Sequence, residues 1–146
     1  MPGGLYNQGG ATVTIIDSTV SGNTALDPGI CDGGYGGGIF NDGGVVKLLN
    51  TTISDNDAEC QGSGIWMTSG SVTLNNTIVA RQSGSFPEDC DEGFPETGEF
   101  ISRGFNLDSD GTCGLDQPSD LPGVDPLLGP LQDQRRPDRH PPADGR

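Results

Sequence analysis

Positive charge is scarce in this chain. Its 146 residues include seven Lys plus Arg against 21 Asp plus Glu, a net charge of −14. Nucleic acids and anionic membrane surfaces both call for a basic face, so neither is an expected partner. Histidine is scarcer still: the single one, His140, lies in the closing stretch LQDQRRPDRHPPADGR. A Ser-His or Cys-His dyad is therefore excluded from everything before it. No stretch approaches the roughly 20 apolar residues of a membrane-spanning helix. The opening MPGGLYNQGG shows neither the basic nor the apolar region of a signal peptide. Aromatics total eight, and Leu, Ile, Val and Phe are too sparse for a large Leu-rich core. CxxC spacing is also absent, so zinc is not expected of Cys31, Cys60, Cys90 and Cys113. Disulfides among them would place the chain in an oxidising compartment; buried free thiols are the alternative.

Glycine and proline are plentiful, 25 and 11 residues. Together they approach the level at which disorder sets in, yet Val, Ile and Thr cluster in short runs that a disordered acidic chain lacks. Those runs belong to a repeat. Residues 3–23 read GGLYNQGGATVTIIDSTVSGN, residues 37–56 GGIFNDGGVVKLLNTTISDN, and residues 62–81 GSGIWMTSGSVTLNNTIVAR. Each opens on glycines, then an aliphatic and an aromatic: Leu5-Tyr6, Ile39-Phe40, Ile65-Trp66. Each closes on Thr and a β-branched residue. The spacing is 33 residues from Val20 to Ile53 and 25 from Ile53 to Ile78, the excess lying in the loop TALDPGICDGGYG. A period of about 25 is a solenoid signature.

The apolar runs alternate with period 2, as in Val13-Thr14-Ile15, and no 3.6-residue stripe is present. Two or three short strands per 25-residue turn predict a parallel β-helix, with equivalent residues stacked about 4.8 Å apart. The expected inward ladders are Leu5/Ile39/Ile65, Val13/Val46/Val72, Ile15/Leu48/Leu74 and Val20/Ile53/Ile78. Asp17, Asn50 and Asn75 are expected at one corner, where Asn and Asp tolerate the left-handed backbone. Asn23 and Asn56 form a second pair, ended by Arg81.

The repeat GGIFNDGG with NTTISDN resembles the right-handed parallel β-helix repeats of bacterial surface proteins with a pectate-lyase-like fold. After residue 85 come EDC, SRGFNLDSDGTCG and DLPGVDPLLGPLQD, in the order of the terminal coil of the secreted "choice-of-anchor Q" group. The resemblance spans residues 3–133. It implies an all-β fold over residues 1–133, a right-handed parallel β-helix of three to four coils with an irregular C-terminal cap. It also implies secretion or cell-surface display. It pairs Cys90 with Cys113, closing a loop worth about 3 kcal/mol. Cys31 and Cys60 lie in loops before successive Gly-Ile pairs, where stacking could bring them together; their pairing stays open. After LGPLQD the group continues NGGPTATHPL, whereas this chain reads QRRPDRHPPADGR. One nucleotide string encodes both in adjacent frames, so residues 134–146 are expected to be a disordered, frameshift-derived tail. The opening inside a coil motif, without a cap, is expected of a C-terminal fragment that self-associates through its N-terminal coil.

Candidate chemistry is thin. Asp55, Asp57 and Glu59 alternate in a loop after the second repeat and could ligate Ca²⁺; a solvated loop is the alternative. Asn106, Asp108 and Asp110 match the first half of an EF-hand loop, but its twelfth position is Gln117 where a Glu is required. No strand carries an acid pair for a glycosidase, and only Lys47, Arg81 and Arg103 precede the tail as bases for a lyase. Asn50 and Asn75 also begin glycosylation sequons. Trp66 is either a sugar platform or a member of an aromatic stack. The expected function is a non-catalytic extracellular β-helix module contacting polysaccharide or a surface protein. The alternative is the remnant of a carbohydrate-active enzyme, a lyase or glycoside hydrolase.

Overall fold

The computed structural model describes residues 2–27, 29, 31 and 33–131, so the expectations for residues 134–146 and for a frame change after Asp133 lie outside the described residues. The described chain is all-β, without a helix. The first repeat supplies β1 (Leu5–Gln8), β2 (Thr12–Ile16), β3 (Thr19–Ser21) and β4 (Thr24–Ala25). The second supplies β5 (Ile39–Leu49), β6 (Thr52–Ser54) and β7 (Asp57–Ala58), and the third β8 (Ile65–Asn75), β9 (Ile78–Ala80) and β10 (Ser83–Gly84). The closing segment adds β11 (Cys90–Ser102), β12 (Leu107–Asp108) and β13 (Leu121–Pro122).

All pairings are parallel and fall into three sheets. The first holds β1 and β2 against β5, then β8 and β11; the second runs β3-β6-β9-β12-β13; the third runs β4-β7-β10. The chain visits the three sheets in the same order in each of three repeats. This is the pattern expected of stacked turns and is consistent with a solenoid.

Parallel register stacks like on like in the first sheet. Leu5, Ile39, Ile65 and Cys90 are partners, as are Val13, Val46, Val72 and Phe100. Ile15, Leu48 and Leu74 follow. Ile39, Val46, Leu48, Ile53, Ile65, Met67, Val72, Leu74 and Val79 form one buried core. Each such side chain contributes roughly 1.5–3 kcal/mol on burial.

Two expected ladders are displaced by one residue. Val20 and Ile53 continue into Val79, not Ile78, which instead partners Thr52. The left-handed corner is Asp17, Asn50 and Asn76, with φ of 48°, 50° and 49°; Asn75 ends β8 beside Leu49. The reason is the strand period. Two residues beyond the inward Ile15, Leu48 and Leu74 lie Asp17, Asn50 and Asn76, and a slip of one turns every side chain to the other face. The corner residues bond in series: Asn76 Nδ2 donates to Asn50 Oδ1 (2.8 Å), and Asn50 Nδ2 to Asp17 Oδ1 (2.9 Å).

The second polar ladder does not end at Arg81. Asn23 Nδ2 donates to Asn56 Oδ1 (3.0 Å), and Asn56 N–H and Nδ2 both donate to Gln82 Oε1 (3.1 and 3.3 Å). Arg81 instead takes the left-handed corner of Gly22 and Asp55, at φ 60°. The opening glycines follow from this ladder. A Cβ on Gly38 would stand 2.6 Å from Gly64 O and 2.9 Å from Asn56 Nδ2, so no side chain fits beside the stacked amides.

Candidate acidic cleft and the carboxylates around it

The segment EDCDEGFPETGEF holds Gly, Pro and six acids, a composition poor in strand formers. It nevertheless forms β11, because β8 offers a paired edge and Cys90 is bonded to Cys113, with Cα atoms 4.9 Å apart. Asp91 is in register with Trp66 and Glu92 with Met67; the register then shifts before Thr97. The excursion between them carries Phe94 out to 99% exposure, while Gly93 lies against the Trp66 ring. The expectation that no strand carries an acid pair is therefore corrected: β11 carries Asp91, Glu92, Glu96 and Glu99.

Glu88, Asp91, Glu92 and Glu96 line a cleft of about 500 Å³ together with Gln61, Phe100 and Thr112. Burial raises the Asp91 carboxyl above its ordinary range; an N–H bond from Glu92 opposes this, and the charges of Glu88 and Glu96 add to it. Glu92 is raised by burial, then by Glu96 and Asp91. Glu88 Oε2 is buried without a hydrogen-bond partner. The cleft thus concentrates negative charge that its own walls do not neutralise. Such a site suits a cation, a cationic group, or a hydroxyl-rich ligand that donates hydrogen bonds.

The carboxylates beneath have structural partners. Asp89 stands one residue before β11, in register with Gly64, and is only 1% exposed. Its Oδ2 accepts from Ser109 N–H (2.6 Å) and Oγ (2.7 Å), its Oδ1 has no partner, and burial pushes its pKa up to about 6. Asp120 accepts from Ser102 Oγ (2.5 Å), Asn106 N–H (2.9 Å) and Gln117 N–H (2.9 Å). Burial works to raise its pKa, but these bonds outweigh burial and lower it.

The residues suggested for Ca²⁺ are dispersed. Asp55 pairs with Arg81 at 3.1 Å, Asp57 lies in β7, and Glu59 Oε2 accepts the Asp27 N–H at 2.5 Å. Asn106 is buried and bonds Thr77 N–H and Leu74 O. Asp108 accepts Cys113 N–H (2.8 Å) and Gly123 N–H (3.1 Å), and Asp110 accepts Asp89 N–H (2.9 Å) and the Thr112 N–H and hydroxyl. The second trio is thus occupied in knitting the terminal segment together. Among the described residues, three metal-type ligands converge at a different place, Asp27, Cys31 and Cys60. Cys31 and Cys60 are disulfide-bonded there.

Trp66 is 6% exposed and stacks on Tyr35, with centroids 4.9 Å apart, while Tyr6 packs on Phe40. It offers no open face for a sugar. A third amide pair escaped the sequence reading. Asn7 Nδ2 donates to Asn41 Oδ1 (2.9 Å), both residues buried inside the first sheet. The Asn shared after Leu5-Tyr6 and Ile39-Phe40, replaced by Met67 after Ile65-Trp66, was its signal. Comparison with protein-family models, curated proteins and solved structures gives no match.

Proposed function

We propose that the chain is a right-handed parallel β-helix of the choice-of-anchor Q type, acting outside the cell as a non-catalytic binding module. The repeating order of three parallel sheets and the terminal block quoted above support the fold reading. The two disulfides fit an oxidising compartment, which supports secretion or surface display. No helix among the described residues is long and apolar enough to cross a membrane.

One observation carries the binding reading. Four carboxylates line the cleft over β11, and Phe94, two residues from both Glu92 and Glu96, is presented to solvent. Polar acceptors in a concavity with an aromatic beside them suit a polysaccharide or a surface protein. The edge of β1 to β4, unpaired among the described residues, supports self-association as a further partner mode. Titration of neutral, acidic and amino-sugar oligosaccharides by calorimetry tests the reading. Retention of a glycan by the wild type and its loss in Glu92→Gln/Glu96→Gln supports it. Binding that the double variant leaves unchanged removes the cleft from the account.

A second reading, a carbohydrate-active enzyme remnant, is favoured by the raised pKa values of neighbouring Asp91 and Glu92. It points to hydrolysis, because none of Lys47, Arg81 or Arg103 lines the cleft to serve a lyase as base. Reducing-end release distinguishes hydrolysis, and an unsaturated product distinguishes a lyase. Absence of both with binding intact leaves the first reading.

A further inference from the structure

We propose that Asp27, Cys31 and Cys60 form a thiolate metal site for a zinc-like divalent cation when the Cys31–Cys60 disulfide is reduced. One carboxylate oxygen and the two sulfurs lie within 4.8 Å of one another, the one such group among the described residues. A tetrahedral zinc with bonds of about 2.0–2.3 Å holds its ligand atoms roughly 3.3–3.8 Å apart. Side-chain rotation alone covers the difference once the sulfurs are released, because the two Cα atoms are already 5.5 Å apart.

The three residues are placed by bonds that reduction leaves intact. Asp27 N–H donates to Glu59 Oε2 (2.5 Å), and Asp27 Oδ1 accepts Gly29 N–H (3.1 Å). Asp27 Oδ2 remains directed at Cys60 Sγ, 3.6 Å away. Cys60 N–H donates to Gly34 O (3.1 Å). The Cys31 carbonyl accepts the Tyr35 hydroxyl (2.6 Å), and Tyr35 is held by its stack on Trp66 and its bridge to Gln61. Asp27 and the main chain at Cys31 and Cys60 are therefore held by bonds other than the disulfide, which is the preorganisation a metal site needs. Asp27 and Glu59 add two negative charges, and the one ion pair among the described residues, Arg81 with Asp55, is elsewhere.

A dithiol reductant supplies the switch. It transfers two electrons and two protons to the S–S bond, which breaks to give two thiols, while the reductant becomes a disulfide. The cation then binds two thiolates and the Asp27 carboxylate, releasing two protons to solvent, with water in the fourth position. Thiolate donors select zinc over calcium or magnesium. The site thus exchanges a covalent crosslink for a metal crosslink between the same two loops. Sequence spacing gave no sign of it, since Cys60 lies 33 residues from Asp27 and 29 from Cys31 and meets them only through the fold.

The test uses the full chain, reduced with dithiothreitol, freed of reductant under anaerobic conditions and titrated with Co²⁺ as a spectroscopic probe. Stoichiometric thiolate-to-cobalt charge-transfer and tetrahedral ligand-field bands, displaced by Zn²⁺, are expected in the reduced chain and absent in the oxidised one. Cys31→Ser/Cys60→Ser, which keeps Cys90 and Cys113, loses the bands. Asp27→Asn, whose disulfide is intact before reduction, binds roughly 10-fold more weakly or worse. The proposal is overturned if the bands never appear, if they survive in the double serine variant, or if Asp27→Asn binds as tightly as wild type. Collapse of the circular dichroism on reduction, where unreduced Cys90→Ser/Cys113→Ser keeps its fold, overturns it too, because the Cys31–Cys60 bond itself would then be what holds the ligands.

Discussion

Asp89 occupies the register position of Gly64, and its Oδ2 takes both the N–H and the hydroxyl of Ser109. In the second repeat the space beside the equivalent glycine, Gly38, is filled by the Asn56 amide. In the closing segment a carboxylate enters the same kind of position and ties β11 to the residue after β12. Placing a carboxylate where the earlier repeats carry glycine makes this part of the fold sensitive to protons.

The Asp89 pKa is raised by burial to about 6, above the ordinary carboxylate value. The folded chain therefore holds this proton more tightly than the unfolded chain. The contribution to stability is fully present below about pH 4, and it is lost as pH rises through about 6. Asp91 and Glu92, also raised, act in the same direction, whereas the lowered Asp120 loses its contribution as pH falls. Urea midpoints measured from pH 4 to pH 7 should fall less steeply in Asp89→Asn, which keeps an acceptor for Ser109. An unchanged slope would show that Asp89 does not titrate in this window.

The corner at Asn76 separates two neighbouring asparagines. Asn76→Ala puts an alanine at φ 49° and deletes the bond to Asn50, at a cost of about 1–2 kcal/mol from the backbone alone. Asn76→Gly should recover most of the backbone part. Asn75→Ala loses one exposed bond to the Arg103 carbonyl and should cost less. Chemical denaturation ranks the three, and equal losses at Asn75 and Asn76 would contradict the corner assignment.

Val79 and Ile78 divide in the same manner. Val79 is fully buried behind Ile53, so Val79→Thr places a hydroxyl in the core and costs about 1–3 kcal/mol. Ile78 partners Thr52, and Thr19 precedes both, so Ile78→Thr restores the residue of the earlier repeats and should be nearly neutral. Thermal or urea unfolding of the pair reads the register directly.

Removing the Cys90–Cys113 bond by serine at both positions opens a crosslink of sequence separation 23. The expected loss is about 3 kcal/mol in equilibrium unfolding. Protease cleavage should concentrate in residues 90–113, because this bond and β8 are what hold a strand of poor intrinsic propensity. Cleavage appearing first elsewhere would argue against that dependence.

The first sheet was legible because alternation survives in VTI, VKL and VTL, and parallel pairing only copies the pattern from strand to strand. The one-residue slip at the third corner arose where Asn75 and Asn76 offer identical chemistry, so composition could not choose between them. The Asn7–Asn41 pair was hidden because a polar residue in an alternating strand ordinarily reads as outward. The acidic cleft was hidden for a different reason. EDCDEGFPETGEF carries loop chemistry, and its strand conformation comes from the edge of β8 and the crosslink, neither of which is local.

The amide ladders have a direction. From Asn76 through Asn50 the NH₂ groups point back toward the first repeat, and the series closes on Asp17, whose Oδ1 accepts and which has no NH₂ to pass on. From Asn23 through Asn56 they point the opposite way and close on the Gln82 oxygen. The two files of dipoles are therefore opposed within one stack. Each is a one-way sentence in which an asparagine can stand anywhere along the line, but an aspartate can stand only as its full stop.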